Sequence, residues 1–483
     1  MSLDKRISTK IIATIGPSSD SYEIIKKMYE NGMRIARLNF SHGDYQYFSK
    51  IIRNIRKVSK EIAIMADTKG PEIRTGDIKE GEVYLKSNQT YRLTNKKVEG
   101  DGKQVYVNYN KLQQLKPRDI ILIDDGLIKA QVKKSTKDYV DITILNSGTL
   151  SSKKSIIIKG HEASLKFLSS KDRKDIEFAI LNKLDYIAAS YVRDSKDIKS
   201  IKKIIEKHNS NIKVIAKVEH FKAVENIDEI LFESHGIMVA RGDLGVIIPL
   251  EKVPHVQMEI IKKCNYKGKP VIVATQMLES MKESPMPTRA EISDVAQAIL
   301  QGTDAIMLSG ETASGNYPVE SVEFMNRISK EYDNRIDLSF TNEEISDYKK
   351  PISNFTTKAA YLASKELNAK AIITPTESGF TARKVSRFKP KAQIYAITKN
   401  MEILRQLQLS WGVFPILIKK EFKNHEEMTK QIVLSLYENK KVNQKDKVII
   451  TAGHIMSKSG HTNLVEIYSV KDLLNNKRKN YNK

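Results

Sequence analysis

Cysteine is almost absent from this chain of 483 residues. Cys264 is its one thiol, which excludes an intramolecular disulfide and any cysteine-held metal cluster. Its setting in "VPHVQMEIIKKCNYKG", a helix-like stretch, marks it as a structural thiol. Long apolar runs are absent too. No stretch can span a bilayer, and the opening "MSLDKRISTK" lacks the apolar core of a signal peptide, so a cytoplasmic protein with no membrane partner is expected. The nine histidines have no H-x-x-x-H or similar metal-ligand spacing. Internal repeats and low-complexity tracts are also missing. The 81 Lys and Arg outnumber the 58 Asp and Glu, a net charge of +23. Such a balance suits nucleic acid or small anions. The lysines scatter over polar helix faces without interleaved aromatics, however, and no nucleic-acid-binding signature accompanies them, so nucleic acid is not an expected partner.

What the chain does have is a succession of short apolar runs closing on small or polar residues. They fall at 9–16, 33–42, 62–70, 186–192, 213–219, 236–245, 269–277 and 304–311. Apolar strands alternating with helical patterns indicate a parallel sheet covered on both faces. Eight such units predict an α/β fold, the closed (β/α)8 TIM barrel, whose active site lies at the C-terminal strand ends. Those ends read Arg37, Asn39, Ser41; Asp67, Thr68, Lys69; Lys217, Glu219; Asp243; Thr275; Ser309 and Glu311. In "VIAKVEHF" the two-residue period turns Lys217 and Glu219 to the same side, about 7 Å apart along the strand. A solvated salt bridge at a fraying strand end is the simple alternative for that pair alone.

The third and fourth runs are separated by more than a hundred residues. Within this gap, "RTGDIKEGEVYLKSNQTYRLTN" and "DIILIDDGLIKAQVKKSTKDYVDITIL" alternate apolar and polar residues between Gly and Asn turns, as expected of a small antiparallel β domain inserted in a barrel loop. On two tethers it can act as a lid. A further α/β segment follows, with strands expected at "AIITPT", "QIYAIT", "VFPILI", "KVIITAG" and "LVEIYSV". The expected domains are barrel at 1–70, lid at 71–164, barrel again at 165–342, and the C-terminal α/β unit at 343–483.

The stretches "TKIIATIGPSS", "RLNFSHGD", "DTKGPEIRTG", "MVARGDLGV", "VIVATQMLESM", "PTRAEISDVAQAI" and "DAIMLSGETASG" closely resemble the pyruvate kinases, in order and along the whole chain. The bacterial type without an extra C-terminal domain is the nearest pattern. The resemblance implies a barrel, a small β-barrel lid and a C-terminal regulatory α/β domain. It also implies transfer of the phosphoryl group of phosphoenolpyruvate to ADP, the last step of glycolysis. Under it, Glu219 and Asp243 hold magnesium or manganese, oxygen-seeking ions that neutralise an enolate and a phosphoryl group. Lys217 stabilises the phosphoryl oxygens and the enolate. Ala240, Arg241, Gly242 and Asp243 form the cradle of the substrate carboxylate, and Thr275, with Ser309, Glu311 and water, delivers the proton. Thr275 in a strand could equally be a β-former satisfying its own backbone. Arg37 and Arg74 bracket the phosphate, where arginine's planar fork suits better than lysine.

The same resemblance places potassium at Asn39, Ser41, Asp67 and Thr68, and Glu72 matches the potassium-dependent branch. Pro17, His42, Arg74 and Lys154 match nucleotide contacts. Thr376, Ser378, Gly379 and Thr381, in a loop running into a helix, match a site for a sugar-phosphate or nucleotide effector, over which "GHIMSKSGHTN" closes with Lys458 or His461. "PTRAE", with Arg289, resembles a subunit contact of a homotetramer. Two stretches depart from pattern: "KKSIIIKGHEASLKF" in the lid's return tether, and Ile247 where the family carries glutamate. An enolpyruvate lyase or aldolase would share the Glu/Asp pair but needs neither lid, Lys217 nor the arginines. A non-catalytic binding protein would have lost a catalytic group, and none is missing.

Overall fold

A computed structural model describes residues 7–158, 166–337, 351–453 and 462–479. The eight expected runs each form a strand: Lys10–Thr14, Met33–Asn39, Ala63–Asp67, Tyr186–Ala189, Lys213–Val218, Gly236–Ala240, Val271–Ala274 and Ala305–Leu308. They pair in parallel and close into a barrel.

Alternation explains why these strands are apolar on both faces. Ile12, Ile35, Met65, Ile215, Met238, Ile272 and Met307 fill the barrel interior. Their neighbours Ile11, Ala36, Ile64, Ala216, Ile237, Val273 and Ile306 pack outward against the helices. The interior residues also define the mouth. One further step of two residues from Ile12, Ile35, Met65, Ala188 and Ile215 places Thr14, Arg37, Asp67, Ser190 and Lys217 in one ring above the packed layers.

The opposite end is closed by the C-terminal unit. Leu409, from that unit, is fully buried within the barrel's interior cluster. Around it, Lys10 Nζ donates to Val413 O (2.7 Å), Lys389 Nζ to Asp304 Oδ1 (2.9 Å) and Arg405 Nε to Asp185 Oδ1 (2.6 Å). The unit itself is a five-stranded sheet in the order Val413–Leu417, Gln393–Thr398, Ala371–Pro375, Lys447–Ala452, Leu464–Ser469; the last strand is antiparallel.

The insert between the third and fourth barrel strands forms a seven-stranded sheet whose edge strands are Ile73–Arg74 and Gln104–Tyr106. A Thr75–Val107 bridge joins those edges, rolling the sheet around its own core of Tyr91, Tyr109, Ile121, Ile142 and their neighbours. A tight turn, with positive φ at Asp124, Asp125 and Gly126, brings the lid down on the barrel: a side chain at Gly126 would stand 3.5 Å from Val246. The expected domain boundaries at 164/165 and 342/343 lie outside the described residues.

Candidate active site

Lys217 stands at the centre of the mouth ring. Its Nζ donates to Asp67 Oδ1 (3.1 Å) and Ser190 Oγ (2.8 Å), and lies 2.8 Å from Glu219 Oε1. Lys217 and Glu219 are therefore a buried ion pair and not a solvated one; Lys217 is 8% exposed and Glu219 1%. Asp67 shares its second oxygen with Arg37, whose Nε lies 2.7 Å away, while Arg37 Nη1 donates to Thr14 Oγ1 (2.9 Å). Burial pushes the Asp67 carboxyl up, but Arg37 and Lys217 outweigh it and leave it below the usual carboxylate range. Burial alone would discharge Lys217; Asp67 and Glu219 reverse that and hold it firmly protonated.

Glu219 Oε2 accepts from Tyr191 N (2.6 Å), yet burial and the nearby Asp243 push its carboxyl up to about 7 against the pull of Lys217. Asp243 is raised too, by burial and by Asp125, Glu72 and Asp67, with Lys217 opposing. These two carboxyls thus lie in a locally negative environment, with Lys217 as the opposing charge. Such a set of hard oxygen ligands, short of one local cation, fits a divalent ion. Asp243 lies not at a strand end but in the first turn of the helix Arg241–Ile247, which follows the Gly236–Ala240 strand directly.

Thr275 departs from expectation in its backbone. The strand stops at Ala274, and Thr275 and Gln276 take φ of +71° and +53°, so Thr275 is not a strand residue. For a β-branched residue this conformation is strained and persists only where the surroundings hold it. Here Thr275 Oγ1 donates to Ala274 O (2.6 Å) and accepts from Gly242 N (2.7 Å). The Arg241 guanidinium does the rest: Nη2 donates to Thr275 O (2.9 Å) and Gln276 O (3.2 Å), and Nη1 to Asp294 Oδ1 (2.7 Å). Both terminal nitrogens of Arg241 are therefore engaged, with this loop and with Asp294. Glu311 accepts Leu278 N (3.1 Å) and Ser309 N (2.7 Å), tying two strand-end loops together. Ser309 Oγ is buried without a hydrogen-bond partner among the described residues.

The lid contributes Arg74, whose Nε binds Glu72 Oε2 (2.6 Å) and whose Nη1 donates to Lys153 O (2.8 Å). Lys154 Nζ pairs with Asp124 Oδ1 (3.0 Å) in the turn nearest the barrel. Pro17 and His42 are exposed on strand-end loops. Asn39 and Asp67 are register partners on adjacent strands, Asn39 Oδ1 accepts Ser41 N (3.1 Å), and Thr68 is buried beside them, so each of the four brings a side-chain oxygen to this part of the mouth. In the C-terminal unit, Gly379 (φ +77°) precedes the helix Phe380–Ser386. Gly379 N donates to Thr376 Oγ1 (3.0 Å), Ser378 O accepts from Arg383 Nη2 (3.0 Å), and Thr381 Oγ1 meets Thr462 Oγ1 at 2.7 Å. Lys458 and His461 lie outside the described residues, as does 159–165 of the divergent lid tether. Ile247 is buried at the end of the helix Arg241–Ile247.

Sequence reasoning missed Ser190, Thr14, Tyr191 and Asp294. The first two were within reach: counting two residues on from an inward-facing strand residue finds both. Tyr191 acts through its backbone and Asp294 from a helix, so no strand-end signal marks them.

Two family models match the chain: "Pyruvate kinase, barrel domain" over residues 6–322 and "Pyruvate kinase, alpha/beta domain" over 354–468. A pyruvate kinase of Sporosarcina psychrophila is 44% identical over 485 residues, 96% of this chain and 81% of the relative. One from Staphylococcus aureus MRSA252 is 44% identical over 487 residues, 97% of this chain and 81% of its own. Among solved structures, a pyruvate kinase from Cryptosporidium parvum superposes with a TM-score of 0.90 at 36% identity, covering 96% of both chains. A closed barrel with an inserted β sheet, a C-terminal α/β unit and this likeness along the chain lead to one assignment: the chain belongs to the pyruvate kinase family, phosphotransferases that move the phosphoryl group of phosphoenolpyruvate to ADP and release pyruvate and ATP.

Proposed function

We propose that Lys217 is the residue on which phosphoryl transfer turns in this enzyme. The observation that carries this is its position, a buried ammonium shared among Asp67, Ser190 and Glu219 in the mouth ring. The bond from phosphorus to the C2 oxygen breaks as a terminal oxygen of ADP bonds to phosphorus, and negative charge moves onto the enolate oxygen. A fixed, preorganised cation beside that oxygen stabilises the charge as it develops, in a site where the low dielectric strengthens the interaction. Arg37, aligned by Asp67 and Thr14, and Arg74, on the lid, hold the phosphoryl group from two sides. The backbone of Ala240–Asp243 receives the substrate carboxylate at the start of a helix.

Glu219 and Asp243 hold magnesium or manganese, which when bound supplies Lewis-acid neutralisation of the substrate's oxygens. The enolate then takes a proton at C3. Thr275 Oγ1, fixed on the strained turn, orients the water that carries this proton, and Ser309 Oγ, buried without a hydrogen-bond partner among the described residues, is a second hydroxyl for the relay. Glu311 sets the geometry of the loops bearing them. Asn39, Ser41, Asp67 and Thr68 hold potassium, and Glu72, at the lid hinge, goes with potassium activation. Pro17, His42, Arg74 and Lys154 contact the nucleotide, so that lid closure completes the site.

The remaining assignments follow the same reading. Thr376, Ser378, Gly379 and Thr381 receive the phosphate of a sugar-phosphate or nucleotide effector. A homotetramer accounts for the exposed apolar residues on the outer helices, Ile352, Phe355 and Leu362 on one and Met258 on another. The protein works in the cytoplasm, with glycolysis; separately, no helix among the described residues is long and apolar enough to cross a membrane. The divergent tether and Ile247 alter the lid's hinge and rim, not the mouth ring.

Exchange of the methyl protons of pyruvate in D2O with magnesium and potassium present tests the assignment, since it isolates enolate and proton chemistry from phosphoryl transfer. The wild type should exchange, Lys217→Met and Thr275→Ala should lose the exchange, and Thr275→Ser should regain it. Full exchange in both Lys217→Met and Thr275→Ala would overturn the roles given to these residues.

A further inference from the structure

The helix Ser170–Leu181, which follows the lid's return to the barrel, reaches across to the loops of two other barrel strands. Lys171 Nζ donates to Phe40 O (2.6 Å) and to Asp175 Oδ2 (2.7 Å). Asp175, fully buried, accepts Tyr45 OH on its other oxygen (2.8 Å). One turn nearer the helix start, Asp172 uses Oδ2 to cap the helix at Ser169 and Oδ1 to accept Gly70 N (3.1 Å). Phe40 lies between Asn39 and Ser41, and Gly70 lies two residues after Thr68 and three after Asp67. Phe40 N in turn donates to Asp67 O (2.9 Å), so the loops are joined to each other as well as to the helix.

From this geometry we infer that Lys171, held by Asp175, which Tyr45 in turn fixes, is a positioning residue for the monovalent cation of the reaction. The inference rests on the potassium reading of Asn39, Ser41, Asp67 and Thr68. Oxygen ligands discriminate and bind such an ion only while their spacing is fixed, and a carbonyl held by an ammonium is fixed more firmly than one held by water. Lys171 pins the segment carrying two of the four side chains, and Asp172 pins the exit of the segment carrying the other two. Since Gly70 also starts the lid's outgoing tether, the cation loops and the lid hinge share one anchor.

Removing the ammonium leaves every candidate ligand in place but loosens their spacing. Lys171→Met should raise the potassium concentration for half-activation by about tenfold, as expected from the loss of one hydrogen bond to a charged donor. Turnover at saturating potassium should stay within about twofold of the wild type, because Lys171 touches no reacting atom. Lys171→Arg should recover most of the affinity. A second readout needs no activity: the rise in melting temperature that potassium chloride gives over tetramethylammonium chloride, without substrates, should shrink in Lys171→Met at a fixed potassium concentration. Tyr45→Phe, which deletes a single hydroxyl, should move both readouts the same way by less, and it decides the matter if Lys171→Met does not fold. A wild type activated and stabilised by potassium, with variants whose half-activation and thermal shift match it, overturns this inference alone. A wild type indifferent to potassium in both assays overturns it together with the potassium reading beneath it.

Discussion

Replacing Asp294 by alanine tests how the strained turn at Thr275 is maintained. Asp294 lies on the helix Arg289–Leu300 and touches the site through Arg241, whose other nitrogen holds the carbonyls of Thr275 and Gln276. Each of those two residues has a left-handed φ that costs about 1–3 kcal/mol when unsupported. A hydrogen bond to a charged partner is worth about 1.5–3 kcal/mol where water is excluded. The Arg241 side chain is 11% exposed but that of Asp294 is 39%, so water weakens the pair and about 1–2 kcal/mol is the appropriate figure. Converted at 1.4 kcal/mol per decade, the turn should be misplaced often enough to lower kcat/KM for phosphoenolpyruvate by about tenfold. Asp294→Asn, which keeps an acceptor, should lose about threefold. The assay is pyruvate release coupled to NADH oxidation, beside a melting curve on each variant. A folded Asp294→Ala enzyme with kcat/KM within twofold of the wild type would refute the reasoning, and with it the role of Arg241 as the clamp of that turn.

Other predictions concern stability. His235 is buried, and its Nδ1 accepts Val214 N (3.1 Å); burial and the surrounding Lys213, Lys202 and Lys269 push it down to about 3. The unfolded state takes up a proton near pH 6.5 that the folded state refuses, so stability falls as pH drops, by about 1.4 kcal/mol per unit below 6.5. Melting temperature should therefore fall less between pH 7.5 and 5.5 in His235→Asn than in the wild type, and equal falls would contradict the assignment. Leu409→Ala opens a cavity at the closed end of the barrel and should cost about 2–5 kcal/mol, read as a lower melting temperature. An unchanged melting temperature would mean that the C-terminal unit does not support the barrel there.

The barrel was legible because parallel strands buried on both faces must be apolar throughout, and eight such runs at helical spacing leave few alternatives. The mouth was legible at Arg37, Asp67, Lys217 and Glu219 because charge at the end of an apolar run is conspicuous. Ser190 was not, since a serine after two alanines in "YIAASYV" reads as a strand running out; only its parity with Ala188 places it beside Lys217. Thr275 misled for another reason. The apolar pattern of "VIVATQM" continues past it, and no glycine marks the left-handed turn, because tertiary contacts from Arg241 and Gly242 impose that conformation. The motif around Arg241 pointed to its backbone and left the task of the Arg241 side chain open. The direction of a side chain at the first turn of a helix is set by a partner on another helix, Asp294, which one-dimensional spacing does not reveal. Likewise the rolled lid sheet depends on a bridge between residues far apart in sequence, Thr75 and Val107.

The most direct test of the central claim is pyruvate formation from phosphoenolpyruvate and ADP with magnesium, with and without potassium, in the wild type and in Lys217→Met. The account predicts wild-type turnover that requires potassium and a fall of at least about a hundredfold in the variant, the scale of losing one preorganised charge at the transition state. Folded, magnesium-loaded wild type that makes no pyruvate, or a Lys217→Met enzyme that turns over at the wild-type rate, would contradict it.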